Sequence, residues 1–442
     1  MKLRLDRLDD RISSLRPGKA EGKVVSVTGV TLTATGLEAS IGEVCRVLGL
    51  EEHILAEVVG FREGRSLLMP LGEVGGIGPG AKVVGLSHPL QVRVGEGLLG
   101  RVVDGLGRPL DGRPLPPGKD APVYRAAPPA LERAPIDQPM ATGVSSIDGF
   151  LTLGRGQRMG IFAGSGVGKS TLLGMVSREA EADVNVIVLV GERGREVRAF
   201  LEEVLGPDGL ARSVVVVATS DAPPLLRFKA PLTGVTLAEY FREQGKDVLL
   251  IMDSVTRFAF SAREIGLAVG EPPTMRGYPP SLFAQLPRLV ERMGTARRGS
   301  ITGLITVLVE GDDMNEPVAD TMRSLLDGHI VLSREIASLG RYPAVDVLRS
   351  VSRTMDRVVD AQHLEAARNL REVLALYEEN RDLVQVGAYK AGSDPGLDRA
   401  LERIDAVHAL LRQGVTEKRS FQETRDVMVR LASGDSFSTG GP

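Results

Sequence analysis

The stretch M-G-I-F-A-G-S-G-V-G-K-S-T-L-L at 159–173 restricts the possible folds more than any other part of the chain. An apolar run of strand length passes into a glycine-rich loop, then Lys169-Ser170, then apolar residues at helical spacing. A strand that leads through such a loop into a helix belongs to a parallel sheet, because parallel neighbours need a crossover. Gly164, Gly166 and Gly168 carry no Cβ, so the backbone N–H groups from Gly164 through Ser165, Gly166, Val167 and Gly168 can wrap a phosphate. The helix that starts near Lys169 adds its positive end, and Thr171 sits in its first turn. In such a loop Lys169 reaches the β and γ phosphates and Ser170 binds Mg²⁺. The strict pattern asks for glycine at the first position, where this chain has Ala163; that is the strand exit, where a methyl is tolerable.

From about 157 to 333 continuous apolar runs fall at 158–163, 184–190, 213–219, 247–252, 301–309 and 329–332, with helical stretches between most of them. Runs without alternation mark strands covered on both faces, so the expected fold class is α/β with a mostly parallel sheet around the P-loop. Two carboxylates end such runs. Asp253 closes D-V-L-L-I-M-D and fits the acid that holds the water shell of Mg²⁺ beside a P-loop. Glu192 follows V-N-V-I-V-L-V-G, at the same sheet edge, where a carboxylate can polarise water for in-line attack.

The remainder of the chain divides by pattern. Leu5, Leu8, Ile12 and Leu15 form one stripe of a short amphipathic helix within 1–18, ended by Pro17-Gly18. Short alternating segments at Lys23–Val30, Ala56–Phe61, Ser66–Met69, Ala81–Val84 and Gln91–Val94, broken by turns such as G-G-I-G-P-G, predict a small β-barrel over 19–95. Residues 96–140 are rich in glycine and proline and read as a linker into the P-loop domain, which takes in 96–356. A helical domain is expected over 357–432, with stripes through Leu364, Ala367, Leu370 and Leu374 and through Leu397, Ile404, Val407 and Leu410, and then a disordered tail at 433–442. The net charge of −3 argues against a nucleic-acid coat, and Phe61 is the only aromatic before residue 96, so a base-stacking platform for RNA is absent. The single cysteine, Cys45, excludes a disulfide framework and points to a reducing compartment. No run approaches the ~20 apolar residues of a membrane helix, and no secretory signal is expected.

Five segments resemble one family in order. G-E-R-G-R-E, M-D-S-V-T-R-F-A, G-E-P-P-T-M-R-G-Y-P-P-S, V-L-V-E-G-D-D-M-N-E-P-V-A-D and G-R-Y-P-A-V-D-V-L-R-S-V-S-R-T-M resemble the type III export ATPases, relatives of the catalytic subunit of rotary ATP synthases. The loop F-A-G-S-G-V-G-K-S-T-L-L-G-M is most similar to the flagellum-specific members. The resemblance implies ATP and Mg²⁺ as cofactors, Glu192 as catalytic base, and Arg193 as its neighbour. It also implies that Arg353 is an arginine finger reaching the next subunit, and that Tyr342 stacks on adenine. It leaves L-L-R-Q-G-V at 410–415 unassigned as a second adenine contact, because the stretch has no aromatic. P-loop, base and finger in one chain are consistent with a homohexamer. The expected partners are a peripheral stalk regulator at the 2–16 helix, a central stalk, export chaperone–substrate complexes and an export gate, but no nucleic acid. The loop at 266–280 is the expected contact for exported protein or the stalk. The expected place is cytoplasmic, peripheral at the inner face of the plasma membrane. The alternatives are an injectisome secretion ATPase and a rotary synthase subunit.

Overall fold

In the computed structural model the structure describes residues 21–49, 53–309, 311 and 313–434. The helix expected at 2–16 lies outside the described residues, as does the tail beyond 434.

Six strands, β1 (Glu21–Thr28), β2 (Thr31–Thr35), β3 (Glu43–Leu48), β4 (His53–Arg62), β5 (Arg65–Pro70) and β6 (Lys82–Pro89), close a barrel in the order β1-β2-β5-β4-β3-β6. Inward residues Val24, Leu32, Ala34, Cys45, Val47, Ala56, Val58, Leu68 and Val83 make its own core. Burial pushes the Cys45 thiol up to about 12, with Glu43 adding to the shift, so it stays an inert apolar group. Two expectations change here. Lys23–Val30 overruns a tight turn at Gly29, where φ is 55°, and the second half of that hairpin is a strand of its own. Gln91–Val94 (β7) is no barrel strand; it pairs with β9 (Lys119–Pro122).

Residues 96–140 are also more than a linker. They contribute β8 (Arg101–Asp104), which joins the edge of the central sheet parallel to Ser213–Thr219. Its two charges are neutralised locally. Arg101 is 6% exposed and forks onto Asp111 at 2.5 and 2.8 Å; Asp104 pairs with Arg108 at 2.6 Å. The Arg101 hydrogen bonds hold the Asp111 carboxyl well below the usual carboxylate range, with Arg113 adding to them.

Two short strands, β10 (Pro139–Met140) and β11 (Leu153–Gly154), pair ahead of the P-loop strand. The central sheet then comprises β12 (Arg158–Ala163), β13 (Val184–Glu192), β14 (Ser213–Thr219), β15 (Asp247–Asp253), β16 (Gly294–Thr295), β17 (Ser300–Leu308), β18 (Gly328–Leu332) and β19 (Val345–Ser352), with β8 at one edge. Its order is β19-β18-β12-β17-β15-β13-β14-β8, with β16 off this path. All neighbours along it are parallel except β18 and β19. Alternate residues serve opposite layers. Val186, Val188 and Val190 pack with Phe228, Val235 and Phe258; Ile187 and Leu189 pack with Leu172, Leu173 and Val176. Each such side chain taken fully out of water contributes about 1.5–3 kcal/mol.

The C-terminal helices Ala361–Gln385, Pro395–Leu411 and Phe421–Ser433 bury Leu370, Leu374, Ile404, Val407 and Met428 into that second layer. The last helix runs through Ser433, one residue past the expected boundary, capped by Ser420 and Glu423 at its start and by Gly434 at its end. In the 266–280 region Gly266–Val269 completes a helix and only the segment beyond Gly270 is irregular. Barrel and sheet are joined by a buried ion pair with the partly exposed Tyr124 beside it. Lys229, on the helix Pro224–Glu243, is 0% exposed, lies 2.6 Å from Glu57 of β4 and donates to the Tyr124 hydroxyl. No helix among the described residues is long and apolar enough to cross a membrane.

Candidate active site

Because β12, β13, β15 and β17 are parallel, Ala163, Glu192, Asp253 and Leu308 all leave the sheet at one edge. The loop after β12 turns twice through left-handed backbone, at Gly166 (φ 79°) and Gly168 (φ 86°), before the helix Lys169–Glu179. A side chain at either glycine would strain that turn. Gly164 and Val167 are buried, while Ser165, Gly166, Ser170 and Thr171 are exposed, so the concave side of the loop and the first helical turn face solvent.

Lys169 Nζ donates to Asp253 Oδ1 and stands 3.7 Å from Glu192 Oε1. Thr306, in the neighbouring strand β17, donates its hydroxyl to the same Asp253 oxygen at 2.7 Å. The three ionic side chains are only 12%, 19% and 4% exposed for Lys169, Glu192 and Asp253. Burial raises the Glu192 pKa, the Asp253 charge raises it further, and Lys169 opposes both. A carboxyl held above its ordinary range is a better proton acceptor near neutral pH than a free one. Ser170 and Asp253 offer oxygen donors of the type Mg²⁺ takes, and no group of three or more His, Cys, Asp or Glu that could hold a metal occurs among the described residues. That donor set fits an ion held by one or two protein oxygens together with phosphates rather than an all-protein cage.

Tyr342 is 44% exposed, and its ring lies alongside Gly168, 3.4 Å from where a Cβ there would stand. It therefore flanks the phosphate loop on the open side, where a flat apolar group could stack. Two expected site residues stand apart. Arg193 caps the helix Gly194–Ala199 and pairs with Glu196 at 3.0 Å, with its side chain 78% exposed. Arg353 follows β19, and its N–H donates to the Asp327 carbonyl. Ser352 pairs with Gly328, at the start of β18, whereas Leu332 at the end of β18 pairs with Ala163 beside the P-loop. Arg353 thus lies at the sheet edge opposite its own phosphate loop. The sequence alone did not reveal Thr306 or Gln413, whose N–H donates to the Tyr342 carbonyl at 2.9 Å. A threonine in a valine-rich strand reads as a β-former, and a glutamine at a helix end gives no signal.

A strand–loop–helix phosphate cradle with a lysine, a strand-end aspartate and a raised glutamate at one edge of a parallel sheet defines a P-loop ATPase of the RecA-like type. Family comparison is more specific. The description "ATP synthase alpha/beta family, nucleotide-binding domain" matches residues 143–352, the corresponding beta-barrel domain 24–86, and "T3SS EscN ATPase C-terminal domain" 359–430. The flagellum-specific ATP synthase of Bacillus subtilis is 50% identical over 98% of this chain and 100% of its own length. The type 3 secretion system ATPase of Xanthomonas euvesicatoria is 52% identical over 96% and 97%. The assembled ATPase EscN of the enteropathogenic E. coli type III secretion system has a TM-score of 0.88 at 44% identity, covering 93% of this chain and 100% of that one. EscN has also been solved in complex with its central stalk EscO, with a TM-score of 0.87 at 43% identity over the same share of each chain. The chain belongs to the family of flagellum-specific and type III secretion ATPases.

Proposed function

We propose that this chain is the ATP-hydrolysing component of a flagellar type III protein export apparatus, working as a homohexamer whose sites are shared between neighbouring subunits. The observation that carries this reading is the split between the two edges of the sheet. Lys169, Glu192 and Asp253 gather at one, and Arg353 stands exposed at the other. Each subunit would then present a cradle on one side and a finger on the other, which a closed ring can pair head to tail.

In this reading Lys169 leaves Asp253 and Glu192 for the β and γ phosphates, which also accept from the loop N–H groups between Gly164 and Gly168. Ser170 and Asp253 would hold Mg²⁺, Asp253 through its water shell; when bound, the ion neutralises charge on the phosphate oxygens. Glu192 takes a proton from the attacking water as the oxygen–γ-phosphorus bond forms and the bond to the ADP oxygen breaks. Arg353 of one subunit reaches the γ-phosphate in the next, Arg193 flanks the base, and Tyr342 stacks on adenine.

The match of residues 359–430 to the type III C-terminal domain supports export over the rotary synthase reading. The Xanthomonas relative at 52% identity supports an injectisome ATPase as the second reading. The EscN–EscO complex supports a central stalk as partner. A peripheral stalk regulator on residues 2–16, chaperone–substrate complexes, an export gate and a cytoplasmic place against the inner membrane face follow from the same family reading. Mg-ATPase rate per subunit against protein concentration, with Glu192→Gln as blank, tests the shared site. The specific rate is expected to climb with concentration and vanish in the variant; a flat rate from a protein that mass measurement shows to be monomeric would refute it.

A further inference from the structure

Tyr342 is 44% exposed, and besides its ring's approach to Gly168 its backbone is held on both sides. On one side the Ala344 carbonyl accepts from Ser333 at 2.9 Å, and on the other the Tyr342 carbonyl accepts from the Gln413 N–H. Gln413 comes from the connection between the second and third C-terminal helices, and it is 4% exposed. Its side chain is saturated. Oε1 accepts from the Ser145 N–H and the Ser145 hydroxyl, both at 2.9 Å. Nε2 donates to the carbonyls of Gly143 at 2.7 Å and Glu417 at 2.9 Å. Arg419 donates to the Ser145 hydroxyl at 3.0 Å, and Arg178 of the P-loop helix donates to the Val415 carbonyl at 2.7 Å. Gln413 therefore fastens the Tyr342 loop, through its backbone N–H, to the start of the helix Ser145–Phe150 and to the C-terminal connection, beside the C-terminal end of the P-loop helix Lys169–Glu179.

A buried amide with every donor and acceptor met has a single favoured position, because any shift strands a polar group in the interior. We propose that Gln413 is a positioning residue for the adenine site: it sets the height of the Tyr342 ring over the P-loop, and hence the share of nucleotide affinity contributed by the base. The inference rests on the reading of Tyr342 as the adenine platform. It also gives 410–415 a role without an aromatic: the stretch places the platform instead of supplying a second one.

The test compares two ligands that differ only by adenosine. Mg-ADP and Mg-pyrophosphate are titrated calorimetrically into the full-length wild type, Gln413→Met and Tyr342→Ala. Gln413→Met keeps the side-chain length and removes its four hydrogen bonds. It is expected to weaken ADP about tenfold, within the range of a lost stacking contact, and to leave pyrophosphate within about twofold. Equal losses for both ligands would overturn the proposal, since general damage to the fold does not single out the base. If Tyr342→Ala leaves the ADP-to-pyrophosphate ratio unchanged, the platform reading itself fails. If Tyr342→Ala lowers that ratio and Gln413→Met does not, the platform stands and Gln413 is refuted as its support. Should Gln413→Met fail to fold, Ser145→Ala, which removes one of the two donors at Oε1, carries the test. An ADP-only loss of about two- to threefold supports the proposal, and an unchanged ratio overturns it.

Discussion

Replacing Arg353 with alanine tests whether the finger works between subunits, and the sheet fixes what to expect. β18 runs five residues from Gly328, which pairs with Ser352, to Leu332, which pairs with Ala163. Four steps of roughly 3.3 Å separate those ends by about 13 Å. Arg353 lies beyond one end and Lys169 beyond the other, a gap no arginine side chain spans within its own subunit. Loss of a finger costs about 10³–10⁵ in rate, so Arg353→Ala alone should be nearly inactive. That range is about 4–7 kcal/mol of transition-state stabilisation. Lys169→Ala alone should be inactive as well. In an equal mixture that assembles at random, an interface works when its cradle comes from an Arg353→Ala subunit and its finger from a Lys169→Ala subunit. Each condition holds at half the positions, so about a quarter of the interfaces should turn over. The assay is Mg-ATPase rate of the mixture, with co-assembly shown by native mass measurement. A mixture that co-assembles and shows no recovery refutes the placement of Arg353 in the neighbour's site.

Lys169→Ala should lose nucleotide binding with turnover, whereas Glu192→Gln should keep Mg-ATP binding and lose hydrolysis; equilibrium binding beside a phosphate-release assay separates the two. The acid limb of kcat/KM should lie above the ordinary carboxylate range of about 4.3, because in the free site Glu192 is raised by burial and by Asp253, and the base is lost as pH falls through its raised pKa. A pH profile that stays flat down to the usual carboxylate range would contradict this. Lys229→Met leaves the Glu57 carboxylate buried with only the Tyr124 hydroxyl at 3.4 Å, which should cost about 3–5 kcal/mol. Adding Glu57→Gln should recover most of that in urea unfolding, and an undiminished midpoint in the single variant would show the pair to be dispensable.

The sequence made the phosphate cradle and the sheet around it legible because both depend on local rules. A buried parallel strand must be apolar throughout, so the runs at 158–163, 184–190, 213–219 and 247–252 lie within strands of the structure. Glu192 and Asp253 were visible as charges closing such runs. β8 was not, because Arg101 and Asp104 bracket a four-residue strand and only the folded chain brings Asp111 and Arg108 to neutralise them. β2 and β3 escaped notice for other reasons: T-L-T-A-T alternates but is five residues long with two apolar positions, and in E-V-C-R-V-L the adjacent buried Val44 and Cys45 break the alternation. The placement of Arg353 opposite its own cradle could not be read from spacing either, since it follows from β19 running antiparallel to β18.

The closed barrel has a consequence for how copies of this chain can meet. β1 pairs with β6 over Glu21–Lys23, so the barrel closes and keeps no full-length outermost strand. A second copy approaching there finds little template for strand addition and meets side chains such as the exposed Ile41 and Phe61. Contacts of that kind form and break without any exchange of backbone hydrogen bonds. At the barrel they deny neighbouring copies the route by which open sheets grow into fibres, and leave the outer strands β8 and β19 of the central sheet as the places where a strand could add.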